Sequence, residues 1–182
     1  MLKNGIAILL CFLSVQTFAQ WKSYYPEGKE KKKERKHHNK EKAEQSNYQY
    51  DSHFFTGLKE KTLGNFDVAI KHFEKCIAID PFKPTAFFEA AVLNTSNGNL
   101  DLALEQFDAA IKITPENRWY ILAYAEALFN KQDYNTAASL YKKLIAKEVG
   151  NRNLYYLLAN TYIYANNFAQ AINVYNDLEE YI

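Results

Sequence analysis

The side chains best equipped for chemistry are few and scattered. His37-His38 could touch a metal ion, but no further ligand stands at the spacing a metal site requires. His53 and His72 stand alone within helical patterns, where packing or surface roles outweigh proton transfer. Cys11 falls in an apolar leader and Cys76 in a column of buried hydrophobes, so neither reads as a nucleophile or as half of a disulfide. Glu126, Asp133 and Glu148 are spaced as on solvated helix faces, not as paired acids and bases. The sequence has no HExxH, phosphate loop, GxSxG or dinucleotide fingerprint. The expectation is a protein without enzymatic activity, metal or cofactor.

Aromatic residues are abundant instead, with 14 Tyr and 12 Phe among 182 residues. Such material builds cores and recognition surfaces, so the elements that hold it decide the function. The near-neutral net charge of +1 conceals three unlike segments. Residues 1–19 carry Lys3, the apolar run Ile6–Leu13 and a polar end at Thr17-Phe18-Ala19, the layout of a secretory signal peptide. The run is too short to span a bilayer, and cleavage after Ala19 would leave Gln20 first. Leu10 before Cys11 argues against lipidation.

Residues 20–50 hold nine Lys/Arg against five Glu and almost no aliphatic side chain. Without an apolar face this segment is expected to be a flexible basic linker, or at most a lone, solvated helix. A solubilising spacer is the favoured role. The sharper alternative is a weak electrostatic contact with anionic surfaces, and no nucleic acid is expected.

The remainder, 51–182, is mildly acidic and superimposes on itself at a shift of 34 residues. Ala69, Ala103, Ala137 and Ala171 fall in register, as do Phe73, Phe107, Tyr141 and Tyr175. So do Gly57, Ala91, Ala125 and Ala159, and again Phe66, Leu100, Tyr134 and Phe168. Small residues in mid-helix let two antiparallel helices approach closely, and the aromatic column fills the space between them. The packing set is therefore Gly57, Ala69, Phe73, Ala91, Ala103, Phe107, Ala125, Ala137, Tyr141, Ala159, Ala171 and Tyr175. Helix pairs are expected at 51–63 and 66–79, 84–96 and 100–113, 118–131 and 134–147, 152–165 and 168–181. Asn65, Asn99, Asp133 and Asn167 suit the N-caps of the second helices, and Asn117 and Asn151 those of two first helices.

Period, small columns, aromatic column and the prolines that end copies (Asp80-Pro81, Thr114-Pro115) resemble the tetratricopeptide repeat family. The resemblance implies an all-α solenoid, an αα-superhelix of four repeats at about 50–83, 84–117, 118–151 and 152–182. It also implies a concave surface of first helices that holds a peptide or helix of a protein partner. The groove is expected to comprise Phe54, Phe88, Val92, Trp119, Leu122, Glu126, Phe129, Tyr156, Asn160, Ile163 and Tyr164, together with Phe55, Leu58 and Glu89. Family members that clamp acidic peptide tails carry Lys, Asn and Arg on this surface. Phe54, Leu58, Glu89, Trp119 and Ala123 stand there instead, so an apolar segment or amphipathic helix is the expected ligand.

Ile172, Tyr175, Leu178 and Tyr181 are expected along the outer edge of the last repeat, where self-association is a candidate. The signal, followed by such an array, resembles exported members of this family from gliding, Bacteroides-type bacteria. The expected role is a scaffold or adaptor in the periplasm or envelope of a Gram-negative cell, within a secretion, motility or envelope-assembly machine. In the alternative reading the basic segment tethers the protein to a polyanion or membrane surface and the array self-associates.

Overall fold

The computed structural model describes residues 27–180, with side chains from 31 onward. The expected signal segment, Cys11 and Tyr181 lie outside the described residues. Eight helices follow one another, with no strand among the described residues: α1 (Glu27–Thr62), α2 (Phe66–Ile79), α3 (Pro84–Ser96), α4 (Leu100–Ile113), α5 (Arg118–Asn130), α6 (Tyr134–Ile145), α7 (Arg152–Tyr164) and α8 (Phe168–Glu179). From α2 onward the bounds agree with the sequence reading to within two residues.

The first helix differs. It runs for 36 residues and takes in most of the expected linker, which takes the solvated-helix form, the second of the two forms expected for it, and continues into the first repeat. Every side chain from 31 to 45 is exposed. The physical reason is the asymmetry between nucleation and propagation. Residues 50–62 are held by packing, and a helix once nucleated extends at low cost through Lys, Glu, Arg and Gln, all good helix formers. Pairs one turn apart, His37–Glu41 and Lys40–Glu44, add small increments. No helix among the described residues is long and apolar enough to cross a membrane.

The chain divides into two units, 1–47 and 48–182. The second is an αα-solenoid in which consecutive helices pack and α3 also touches α5. All four copies turn from first to second helix in the same way. Gly64, Gly98, Gln132 and Asn166 take the left-handed conformation, with φ of 80°, 81°, 66° and 57°. The next residue's N–H then reaches back to close the helix, as Asn65 to Glu60 O, Asn99 to Asn94 O, Asp133 to Leu128 O and Asn167 to Tyr162 O. Glycine accepts that φ freely, whereas Gln132 and Asn166 adopt it at a cost.

The caps divide. Asp133, Asn167 and Asn117 accept the expected backbone N–H bonds. Asn65, Asn99 and Asn151 do not. Their amides donate instead to Glu60, Asn94 and Glu148. The acceptor that each finds one turn back competes with the cap.

The packing columns are buried throughout, apart from the last aromatic. Phe73, Phe107 and Tyr141 are essentially inaccessible, while Tyr175 is 36% exposed because no described helix follows to cover it. Cys76 is fully buried beside Tyr50 and Ala86, and its Sγ donates to Tyr50 O at 3.4 Å. Burial pushes its thiol up to about 11, with Lys83 opposing. His53 and His72, expected to stand alone, meet across α1 and α2 with Nδ1 atoms 3.2 Å apart.

Candidate partner-binding groove

The expected groove residues sort into two sets once the helices are in place. Phe54, Phe88, Leu122 and Tyr156 precede the small residues Gly57, Ala91, Ala125 and Ala159 by three positions, so they share the face turned to the second helix. Phe54 meets Phe73 edge-on at 5.7 Å, Phe88 meets Phe107 at 5.9 Å, and Tyr156 meets Tyr175 at 6.3 Å. Leu122 packs into the same core as Tyr141. Phe88 also stacks on Tyr120 of the next repeat, and Val92 packs against the cluster around Ala91 and Phe107. These side chains are committed to packing and not to an open groove. Tyr156 alone of them stays substantially exposed, because its repeat is the last one described.

A second correction concerns the outer edge of α8. Leu178 faces inward and is buried with Ala171 and Val174, while Phe168 and Ile172 are 58% and 59% exposed.

The more open set is Phe55 on α1, which is 66% exposed, and Trp119, Glu126, Asn160, Ile163 and Tyr164 on α5 and α7, with Phe129 half-buried beside them. Glu126, Phe129, Asn160 and Tyr164 line one cavity of about 420 Å³ with Asn130, Leu157, Thr161 and Tyr141. Phe129 and Tyr164 meet edge-on at 5.0 Å, and Tyr134 closes the cluster at 5.4 Å from Phe129. Tyr164 is 62% exposed and Trp119, stacked under Arg118, is 60% exposed. Leu157, Tyr134 and Tyr141 were not assigned to this surface from sequence. Their signal was available: each lies one or more turns from an assigned residue or faces it across the register.

The electrostatics are uneven along the array. Between α1 and α3 the Lys61 ammonium sits 2.7 Å from Glu89, which is the place where an acid-clamping groove would keep a free cation. Between α5 and α7 the charge is Glu126. The residue opens to solvent, yet its carboxyl is partly desolvated in the cavity, and this raises its pKa. Tyr141 is raised too, first by burial and then by Glu126. Among the described residues no group of His, Cys, Asp and Glu could hold a metal. What the arrangement offers is an aromatic cleft with one acidic wall.

Known proteins bear on this geometry in three ways. Two tetratricopeptide-repeat models match the chain, at residues 57–118 and 128–181. Among solved structures, a crystal structure of MamA protein has a TM-score of 0.67 at 16% identity, covering 77% of this chain and 75% of that one. MamA residues 41-end from Desulfovibrio magneticus RS-1 gives 0.66 at 14% identity, covering 73% and 75%. These likenesses are of fold. No curated protein matches the chain. Between them the two models take in more than half of the sequence, and the chain belongs to the tetratricopeptide repeat family.

Proposed function

We propose that this protein is an exported, non-enzymatic scaffold that docks an apolar peptide or amphipathic helix of another protein between its first helices. A repeat array of this family is a protein-interaction fold, and that much follows from the matches. The observation that carries the finer reading is the open aromatic cleft between α5 and α7, where Phe129, Tyr164 and Leu157 line a cavity of about 420 Å³ with Glu126 and Asn160. Location in a cell envelope, within a secretion, motility or assembly machine, rests on the signal-like leader and the resemblance to exported proteins. A mature chain starting at Gln20 would support it, and a cell-associated chain that retains 1–19 would count against it.

The test is crosslinked recovery of partners from native cells with the wild-type chain and with Trp119→Ser/Tyr164→Ser. Both side chains are more than half exposed, so their loss spares the core. Loss of the crosslinked partners supports the groove; unchanged recovery overturns it.

One observation favours the second reading, the basic tether. At about 100° per residue, the seven cations Lys31, Lys32, Lys33, Arg35, Lys36, Lys40 and Lys42 spread over one side of α1, while Glu34, Glu41 and Glu44 share an arc of about 80° on the other. The interleaving seen in sequence becomes segregation in the helix. Deleting 27–45 would then abolish recovery while the groove variant leaves it intact.

Self-association is proposed for the exposed pair Ile172 and Tyr175, whose counterparts Ile70 and Ala138, and Phe73 and Tyr141, are buried, with Phe168 exposed beside them. A solution mass that stays monomeric over a wide concentration range would overturn it.

A further inference from the structure

The repeats show how this protein handles a charge across its own groove, and where it leaves one unanswered. Between α1 and α3, Lys61 on one first helix reaches Glu89 on the next. Two repeats further on, the register places Phe129 where Lys61 stands and Leu157 where Glu89 stands. The acid in this cleft is Glu126, from the column Leu58, Val92, Glu126, Asn160. Among the described residues no cation pairs with it, and desolvation is the sole cause of its raised pKa. A partly desolvated carboxylate without a counter-ion favours a cation supplied from outside.

The cavity has the shape of one answer. Its lining joins apolar and aromatic side chains, Leu157, Phe129, Tyr164 and Tyr141, to polar ones, Glu126, Asn160, Asn130 and Thr161. An alkyl stem that ends in a cation matches that mixture of surfaces, because long basic side chains bury their methylenes and keep the head solvated or paired. The Tyr164 and Phe129 rings in the lining are a source of cation–π attraction for such a head group. The acidic wall opposes phosphate, an acidic tail or a carboxyl terminus.

We propose that the cleft between α5 and α7 takes a lysine or arginine side chain of the docked partner, its stem against Phe129, Leu157 and Tyr164 and its cation at the Glu126 carboxylate. The proposal rests on the groove reading above and specifies the chemistry of the ligand. A partner segment would therefore be apolar with one essential basic residue, not uniformly apolar.

A displayed library of random linear peptides, selected against the full chain, tests both levels separately. Selected peptides whose binding is lost on Tyr164→Ser report groove occupancy. The expected result is that these peptides carry a Lys or Arg, and that replacing it by norleucine weakens binding by about tenfold. Glu126→Gln should weaken the parent peptide equally and the norleucine peptide not at all. Groove-dependent peptides without a basic residue, or with equal affinity for Glu126→Gln, overturn the pocket while leaving the groove intact. If no selected peptide responds to Tyr164→Ser, the groove reading falls and takes the pocket with it. Circular dichroism of both variants, expected to match the wild type, separates loss of binding from loss of fold.

Discussion

Gly57 sets the closeness of the first two helices, and Gly57→Ala tests whether that contact is as tight as the structure makes it. In an interior helix position alanine is favoured over glycine by roughly 1 kcal/mol. Against this, a Cβ at position 57 would lie 2.8 Å from Phe73 Cε1, 3.0 Å from Cζ and 3.1 Å from Cδ1. Carbon pairs rest at about 3.5–4.0 Å, so the ring must recede by about half an ångström or more. Phe73 has little room to do so: it is 0% exposed and packed among Ala69, Ile70, Ala90, Leu93 and Phe54. Forcing one carbon into a filled core costs about 1–3 kcal/mol, which leaves a net loss near 1 kcal/mol. With Phe73→Leu the ring is gone, and the same substitution should return its gain of about 1 kcal/mol. The coupling between the two sites is then about 2 kcal/mol. Urea titrations followed by helical circular dichroism on the four chains of the cycle measure it. Stabilisation by Gly57→Ala in the presence of Phe73, or the same change in both backgrounds, would refute the packing argument.

Other consequences follow from single contacts. Gln132 holds φ 66° where two other copies have glycine, so Gln132→Gly should stabilise by about 0.5–1 kcal/mol and Gly98→Ala, at φ 81°, should destabilise by a similar amount; thermal melts of both variants check the pair. Buried Asn94 donates to Gln106 Oε1 at 2.9 Å, so Gln106→Ala strands the amide and should cost about 1–3 kcal/mol, whereas Asn94→Leu with Gln106→Leu should recover most of it in the same urea assay. The Cys76 thiol, pushed up to about 11 and fully buried, should resist a thiol-specific reagent at pH 8 in the native state and react at once in denaturant; rapid native labelling would show α1 to open freely. Glu126 has a folded pKa above its ordinary 4.5, so the folded state binds the proton more tightly and stability falls as pH rises through the window above 4.5. Glu126→Gln should therefore stabilise the chain at pH 7 and lose that advantage below pH 4.5, and chemical denaturation at the two pH values reads the sign.

The array was legible because its chemistry repeats. A small residue at 57, 91, 125 and 159 and an aromatic at 73, 107, 141 and 175 leave few alternatives to helix pairs packed at one distance. The groove was legible only in part, because size misled where geometry would have served. Phe54, Phe88 and Leu122 are large and apolar, but they sit one turn before the small column and face inward with it. The contact between His53 and His72 lies 19 residues apart, outside the 34-residue register, and emerges only when α1 and α2 are laid antiparallel. A test that looks for a buried face left residues 27–49 open between a flexible linker and a solvated helix, since that stretch has no such face and inherits its helix from the packed residues after it.

The same register separates structure from recognition. Columns in which all four copies agree, such as 69, 103, 137 and 171, are buried, and any of their members could serve in any repeat. The column 58, 92, 126 and 160 passes from Leu and Val to Glu and Asn, and the pair Lys61 and Glu89 gives way to Phe129 and Leu157. No packing requirement explains that drift, because Leu58 and Val92 show that apolar residues fit the position. An unpaired acid placed among aromatic rings works against stability, so its presence is explained by what it faces. At one end of the array Lys61 answers Glu89 within the protein, and at the other Glu126 is left for a ligand to answer. Specificity should therefore reside in α5 and α7, and exchanging the third and fourth repeats for copies of the second should keep the fold while abolishing recognition.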